Sequence, residues 1–234
     1  MMQDKTHLEK TRCLGLLGGL GVGAAIHYYK YLALAAESES RELDLVMAHA
    51  RTPRVFECVD ARDPEGLANY LNGFIVRLKA AGAELAVLPA VTPHYCIREL
   101  TAVSPIPLLS LFEPLLQELN ARKIRRISVF GTEQVMKAAL YGLVGDVEVV
   151  AHPPEELRFL GETYLTLLRT GVGTKEQHSS LTAMAHTILN RDRVDAIVLA
   201  GTDLSLVFNE SNTGFPHLDC AELHLKAIRE ALIG

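Results

Sequence analysis

The sequence predicts an α/β protein with mostly parallel sheets, its elements running in two successive series. Three observations carry this. Short apolar runs alternate with helix-period segments along the whole chain, as in βαβ units rather than hairpins. The first run ends in a glycine turn, Gly18-Gly19-Leu20-Gly21, directly ahead of a helical pattern. Two later runs, 84–88 and 194–199, each stop at small residues followed by a threonine and a polar group: Ala90-Val91-Thr92-Pro93-His94 and Ala200-Gly201-Thr202-Asp203.

Taken in order, 13–17 reads as a strand and 22–36 as a helix whose apolar residues recur at helical spacing. Residues 43–48 form the next strand, 65–81 a helix closed by Gly82, and 84–88 a third strand. Pro105-Ile106-Pro107 interrupts, followed by a short strand (108–111) and a helix (113–120). A second series then begins: strand 127–130 ending in Gly131-Thr132-Glu133, strand 147–150, helices 156–170 and 175–191, and strand 194–199. From Pro216 the tail carries Leu218-Asp219-Cys220-Ala221-Glu222-Leu223-His224 and a last helix. The second series repeats the plan of the first without repeating its sequence.

Composition narrows the function classes. In 234 residues, 49% hydrophobic and 22% charged, there is ample material for one large domain or two of about 100 residues. A net charge of −5 offers no basic surface for nucleic acid. Arg122, Lys123, Arg125 and Arg126 read as a solvated helix end before a strand. The four cysteines are widely spaced, with no Cys/His ligand cluster, so neither a disulfide framework nor a metal site is expected and a reduced, cytoplasmic setting is. No run approaches the ~20 apolar residues of a membrane span. Gly19, Gly21 and Ala24 satisfy a dinucleotide fingerprint, but it also requires an acidic residue near the end of the second strand, where Ala48-His49-Ala50 stands. No cofactor is expected.

A resemblance sharpens these expectations. Leu14-Gly15-Leu16-Leu17-Gly18-Gly19-Leu20-Gly21 resembles the opening I-G-I-L-G-G-M-G of the aspartate/glutamate racemase superfamily. Residues 88–95 are similar to its M-P-C-N-T-A-H-Y, 199–204 to its L-G-C-T-E-L, and 219–224 to its D-T-T-x-I-H, with Pro105-Ile106-Pro107, Phe130-Gly131-Thr132-Glu133 and Tyr141 between them in order. The resemblance implies two similar three-layer domains related by a pseudo-twofold, with the site in the cleft between them. It places 12–108 and 215–234 in the first domain, 109–214 in the second, and leaves 1–11 as a flexible N-terminal extension. It also implies a homodimer and a small carboxylate or amino acid-derived substrate.

In that family a thiol and a thiolate on opposite faces of the substrate exchange its α-proton. The resemblance puts those cysteines at Ala90 and Gly201, which have no proton to exchange. Val91 stands for an asparagine that offers an amide, and Pro93 removes a backbone N–H. Arg54, one residue out of register, and Arg169 are the cations available for a substrate carboxylate. Gly19, Leu20, Gly21, Ala90, Val91, Thr92, Thr132, Gly201 and Thr202 are the other expected substrate contacts. His94 and Asp203 are the candidate acid/base pair, with Cys96 as a candidate thiol and His49 and His224 as further histidines that could face the cleft. Each also has a structural alternative: His94 packed at a helix start, Asp203 binding backbone amides, Cys96 buried in a helix face. Because Thr92, Thr202 and Asp203 preserve a polar cleft, the sequence favours a cofactor-independent isomerase or lyase. The alternatives are a catalytically silent carboxylate-binding homologue and a racemase using His94 or Cys96.

Overall fold

The computed structural model describes residues 9–233, so positions 1–8 of the expected extension lie outside the described residues. The first series comprises β1 (Glu9–Lys10), β2 (Leu14–Gly18), α1 (Val22–Ser38), β3 (Arg41–Glu42), β4 (Leu45–His49), α2 (Thr52–Asp60), α3 (Pro64–Ala80), β5 (Leu85–Val87), α4 (Ile97–Val103) and β6 (Leu108–Leu109). The second comprises α5 (Phe112–Ala121), β7 (Arg126–Phe130), α6 (Glu133–Lys137), β8 (Glu148–Val149), α7 (Pro154–Thr170), α8 (Lys175–Asp192), β9 (Ala196–Leu199), β10 (His217–Asp219) and α9 (Cys220–Ile233).

Two expectations change at the start of the chain. β1 pairs with β3, so the last residues of the expected flexible extension are held in a two-stranded parallel ribbon. α2 occupies a stretch that reads from sequence only as an arginine-bearing segment. Its Pro53 lies in the first turn, where a missing N–H leaves no helical hydrogen bond unmade.

The main strands form two four-stranded parallel sheets, ordered β4-β2-β5-β6 and β8-β7-β9-β10. Counting strands within each half, both sheets follow the order second, first, third, fourth. β2, β5 and β9 are buried along their whole length, which is why they read as continuous apolar runs without alternation. On one face of the first sheet, Leu67, Leu71 and Ile75 of α3 pack with Leu17, Ala86 and Leu88. On the other, Tyr28 and Leu32 of α1 join Leu14, Leu16 and Val87.

The ends of the two series are exchanged. α5 follows the last strand of the first sheet but buries Phe112, Leu115 and Leu119 in the core of the second half. α9 follows the last strand of the second sheet but buries Leu225, Ile228 and Leu232 against the first. The segment 215–234, expected wholly in the first domain, is therefore divided. β10 pairs with β9 as the fourth strand of the second sheet, and only its helix returns. The carboxyl ends of β2, β5, β7 and β9 meet between the halves, so the loops that follow them build the candidate site.

Candidate active site

The turn after β2 lies flat on the end of β4. Gly19 has φ +81°, and a Cβ there would stand 2.1 Å from the Ala50 carbonyl oxygen, so only glycine fits. Gly21, at φ +144°, opens α1. The first N–H groups of a helix have no intrahelical partners and carry its positive end, and here their partner comes from the other half. Ala24 N–H donates to Asp203 Oδ1 at 3.0 Å. A Cβ on Gly21 would come within 2.2 Å of Asp203 Oδ2, and one on Gly23 within 2.9 Å of Oδ1. The glycine turn is thus shaped to receive a carboxylate, and the carboxylate in it belongs to the protein.

The other oxygen of Asp203 is also engaged, accepting a hydrogen bond from the Tyr164 hydroxyl at 3.3 Å. Asp203 is fully buried. Burial pushes its carboxyl above the ordinary aspartate range, while the Ala24 amide and the Tyr164 hydroxyl pull the other way. Burial, followed by the Asp203 charge, raises the Tyr164 phenol well above its usual value. These are the features of a helix cap supplied across an interface, not of a base open to substrate.

Tyr164, on α7, also answers the question posed by Gly201. A Cβ at Gly201 would lie 2.1 Å from Tyr164 Cε2 and 2.7 Å from both Cδ2 and Cζ. The backbone at Gly201 is ordinary extended chain (φ −127°, ψ 109°), so its glycine is demanded by space and not by conformation. The tyrosine ring occupies the room that a side chain at 201 needs. Sequence reasoning passes over Tyr164, which sits among Leu160 and Leu167 at helical spacing and reads as plain core. The missing side chain at 201 is the one signal that something else fills the space.

On the first half, the loop after β5 places Ala90 and Val91 in the interior. Val91 reaches over to join the core of the second half. Three threonines fasten the loops together. Thr202 donates to the Pro89 carbonyl at 2.8 Å across the halves, and Thr92 and Thr132 share a hydroxyl–hydroxyl bond of 3.3 Å, also across the halves. Thr132 additionally caps α6 through Val135 N–H at 3.3 Å. All three are buried. The polar groups that argue from sequence for a working cleft are spent on joining its walls.

His94 is brought close to this interface but is saturated. Its Nδ1 lies 2.8 Å from the Ala90 carbonyl oxygen, and Leu111 N–H donates to Nε2 at 3.5 Å. The first contact requires the proton on Nδ1 and the second leaves Nε2 as acceptor. Burial pulls its pKa down to about 4, against the two backbone carbonyls that favour the charged ring. Its expected acid/base role has no free nitrogen to perform it. His224, which burial pulls down to about 3, bridges the Tyr28 hydroxyl (3.1 Å) and the Leu109 carbonyl (3.0 Å). The two imidazoles therefore grip the strand-to-helix crossover at Leu109 and Leu111, where the chain passes from one half to the other.

The remaining candidates disperse. Arg54 is exposed on α2 and pairs with Glu57 (3.1 Å), and Arg169 is exposed in the last turn of α7. Neither is gathered into the buried loop cluster with Asp203 and Thr202. Cys96 is fully buried, its thiol donates to the Pro93 carbonyl at 3.4 Å, and burial pushes it up to about 12, which removes the thiolate a nucleophile needs. His49 is exposed at the end of β4.

A family model described as Asp/Glu/Hydantoin racemase matches residues 17–228. No curated protein sequence matches the chain. Among solved structures, the chain is similar to an Asp/Glu racemase from Yersinia pestis, described as putative, at 20% identity and a TM-score of 0.79, covering 95% of this chain and 100% of that one. It is similar to an aspartate racemase homologue from Pyrococcus horikoshii at 21% identity and a TM-score of 0.76, with 95% and 100% covered. An arylmalonate decarboxylase has the same fold at 14% identity and a TM-score of 0.58, with 94% and 92% covered. With the paired parallel sheets and a match that spans nearly the whole chain, the protein belongs to the Asp/Glu/Hydantoin racemase family.

Proposed function

We propose that this member of the family is a catalytically silent carboxylate-binding homologue and does not interconvert amino acid enantiomers. Inversion at a carbon needs a proton acceptor on one face and a donor on the other. Ala90 supplies neither, and Gly201 is covered by the Tyr164 ring. The observation that carries the reading is the double engagement of Asp203, bound to Ala24 N–H on one oxygen and to Tyr164 on the other. A group held in this way contributes to closing the interface. A ligand carboxylate would take the place of Asp203 in the glycine turn at the positive end of α1, opening the interface that Asp203 closes.

The test is incubation with D- and L-aspartate and glutamate in deuterated water, alongside thermal melting with malonate and succinate. The expected result is no α-proton exchange, with a rise in melting temperature. Exchange at the α-carbon would overturn the proposal.

One observation favours a second reading. The Tyr164 hydroxyl is a single proton donor on the second half's side of the cleft, and a lyase needs only one. When a malonate-type substrate loses carbon dioxide, its C–C bond breaks, the electron pair stays on carbon, and a phenol proton fills that position, to be replaced from water. Carbon dioxide release from phenylmalonate, lost in Tyr164→Phe, would establish this reading in place of the first.

A further inference from the structure

A second crevice between the halves borders the loop cluster around Asp203 through His94. It is a cavity of about 260 Å³ walled by Pro64, Tyr95, Arg98 and Glu99 of the first half and Tyr141 and Leu143 of the second. Three features set it apart from a casual surface hollow. The turn that carries Tyr141 is strained: Ala139, Leu140 and Tyr141 have φ of +45°, +55° and +58°, a left-handed run of three residues that all bear side chains. Each such residue costs about 1–2 kcal/mol, so surrounding packing has to impose it. The fully buried Leu140 anchors the turn, and the Tyr141 ring is set edge-on to Tyr95 with centroids 5.5 Å apart.

The Tyr141 hydroxyl is itself buried and has no hydrogen-bond partner among the described residues. Finally, Arg98 and Glu99, successive on α4, both line the crevice and form no ion pair with each other. Neither forms an ion pair with any other described residue. The crevice thus presents a free cation and a free anion beside two aromatic rings, a proline and a leucine.

We infer that this crevice is a binding site for a zwitterionic α-amino acid with an apolar side chain, its carboxylate on Arg98, its ammonium on Glu99 and its side chain between Tyr95, Tyr141 and Leu143. The volume lies just below the ~300 Å³ at which pockets for drug-sized ligands begin, which suits a smaller molecule. Because the walls come from both halves, the ligand fastens them together. The inference stands apart from the proposed role of Asp203, whose contacts it does not use.

The probes are L-phenylalanine, 3-phenylpropionate and phenethylamine, titrated calorimetrically into the full chain. Saturable binding of L-phenylalanine, at least tenfold tighter than either truncated analogue, is expected. Arg98→Ala should weaken it at least tenfold, and Asp203→Asn should leave it unchanged. Tyr141→Phe should raise the melting temperature of the free protein, by removing an unpaired buried hydroxyl, while lowering the affinity for L-phenylalanine. No saturation by L-phenylalanine on the order of 10 mM, equal binding of phenylpropionate, or undiminished binding in Arg98→Ala would each overturn the assignment.

Discussion

If the Tyr164 ring occupies the space that a side chain at 201 requires, then Gly201 and Tyr164 are energetically one unit, and a double-mutant cycle reads their coupling directly. Tyr164 is only 5% exposed, so Tyr164→Ala removes a buried aromatic and should cost about 3–5 kcal/mol. Gly201→Ala in the natural background places a methyl group 2.1 Å from Tyr164 Cε2. Overpacking of this kind costs about 1–3 kcal/mol. In the Tyr164→Ala background the same methyl enters vacated space on an extended backbone that alanine adopts freely. There it should stabilise by about 0.4–1 kcal/mol, through the lower entropy of the unfolded chain. The change of sign gives a coupling of roughly 1.5–4 kcal/mol. Equilibrium urea unfolding of the four proteins measures it. Additivity within about 0.5 kcal/mol would mean that the ring is seated elsewhere, and the account of Gly201 fails with it.

Long-range ¹H–¹⁵N spectra should find His94 and His224 neutral and in opposite tautomers at pH 6, with the proton on Nδ1 of His94 and on Nε2 of His224. Both folded values lie below the ordinary 6.5, so the unfolded chain takes up these protons first. The two rings therefore cost nothing above pH 6.5 and destabilise the fold as pH falls from 6.5 towards 4. A His224→Gln variant should lose part of that acid sensitivity in urea unfolding between pH 7 and 5. Asp203 behaves in the opposite sense: its folded value is raised, so ionisation opposes folding and its penalty grows as pH rises through that value. Asp203→Asn should accordingly gain stability relative to the natural protein between pH 4 and 7, and a constant difference across that range would contradict the burial argument. Cys96 should resist iodoacetamide at pH 8 in the folded protein and react fully in urea, as judged by mass spectrometry, because its thiol is buried and held at about 12.

The sequence is most informative where one physical constraint dominates. β2, β5 and β9 are buried on both faces, so their residues have to be apolar, and the sequence reading places them to within about two residues. α2 goes unread because its signals, Thr52-Pro53 and one apolar face, compete with a turn reading of the same residues. β10 goes unread as a strand, and its segment is placed with the first domain, because strand partnership depends on where a chain of three residues docks, which its composition does not encode.

The site divides in the same way. Its location is readable, since small residues at strand ends mark places where backbones approach closely. The use made of each side chain is not, because it depends on pairings across 179 residues for Asp203 with Ala24 and 39 for Tyr164 with Asp203. Thr92, Thr132 and Thr202 look alike as ligand contacts or as rivets, and only their partners distinguish the two.

The crossed arrangement of α5 and α9 has a consequence for synthesis. Domains emerging from a ribosome ordinarily fold from the N-terminus onward, each as it clears the exit. Here the first sheet lacks the cover of Leu225, Ile228 and Leu232, and the second lacks its fourth strand, until residues 217–232 are made. Neither half can complete itself before then. The two finish together, with Leu14, Leu16 and Tyr28 uncovered by α9 until residue 232 has emerged.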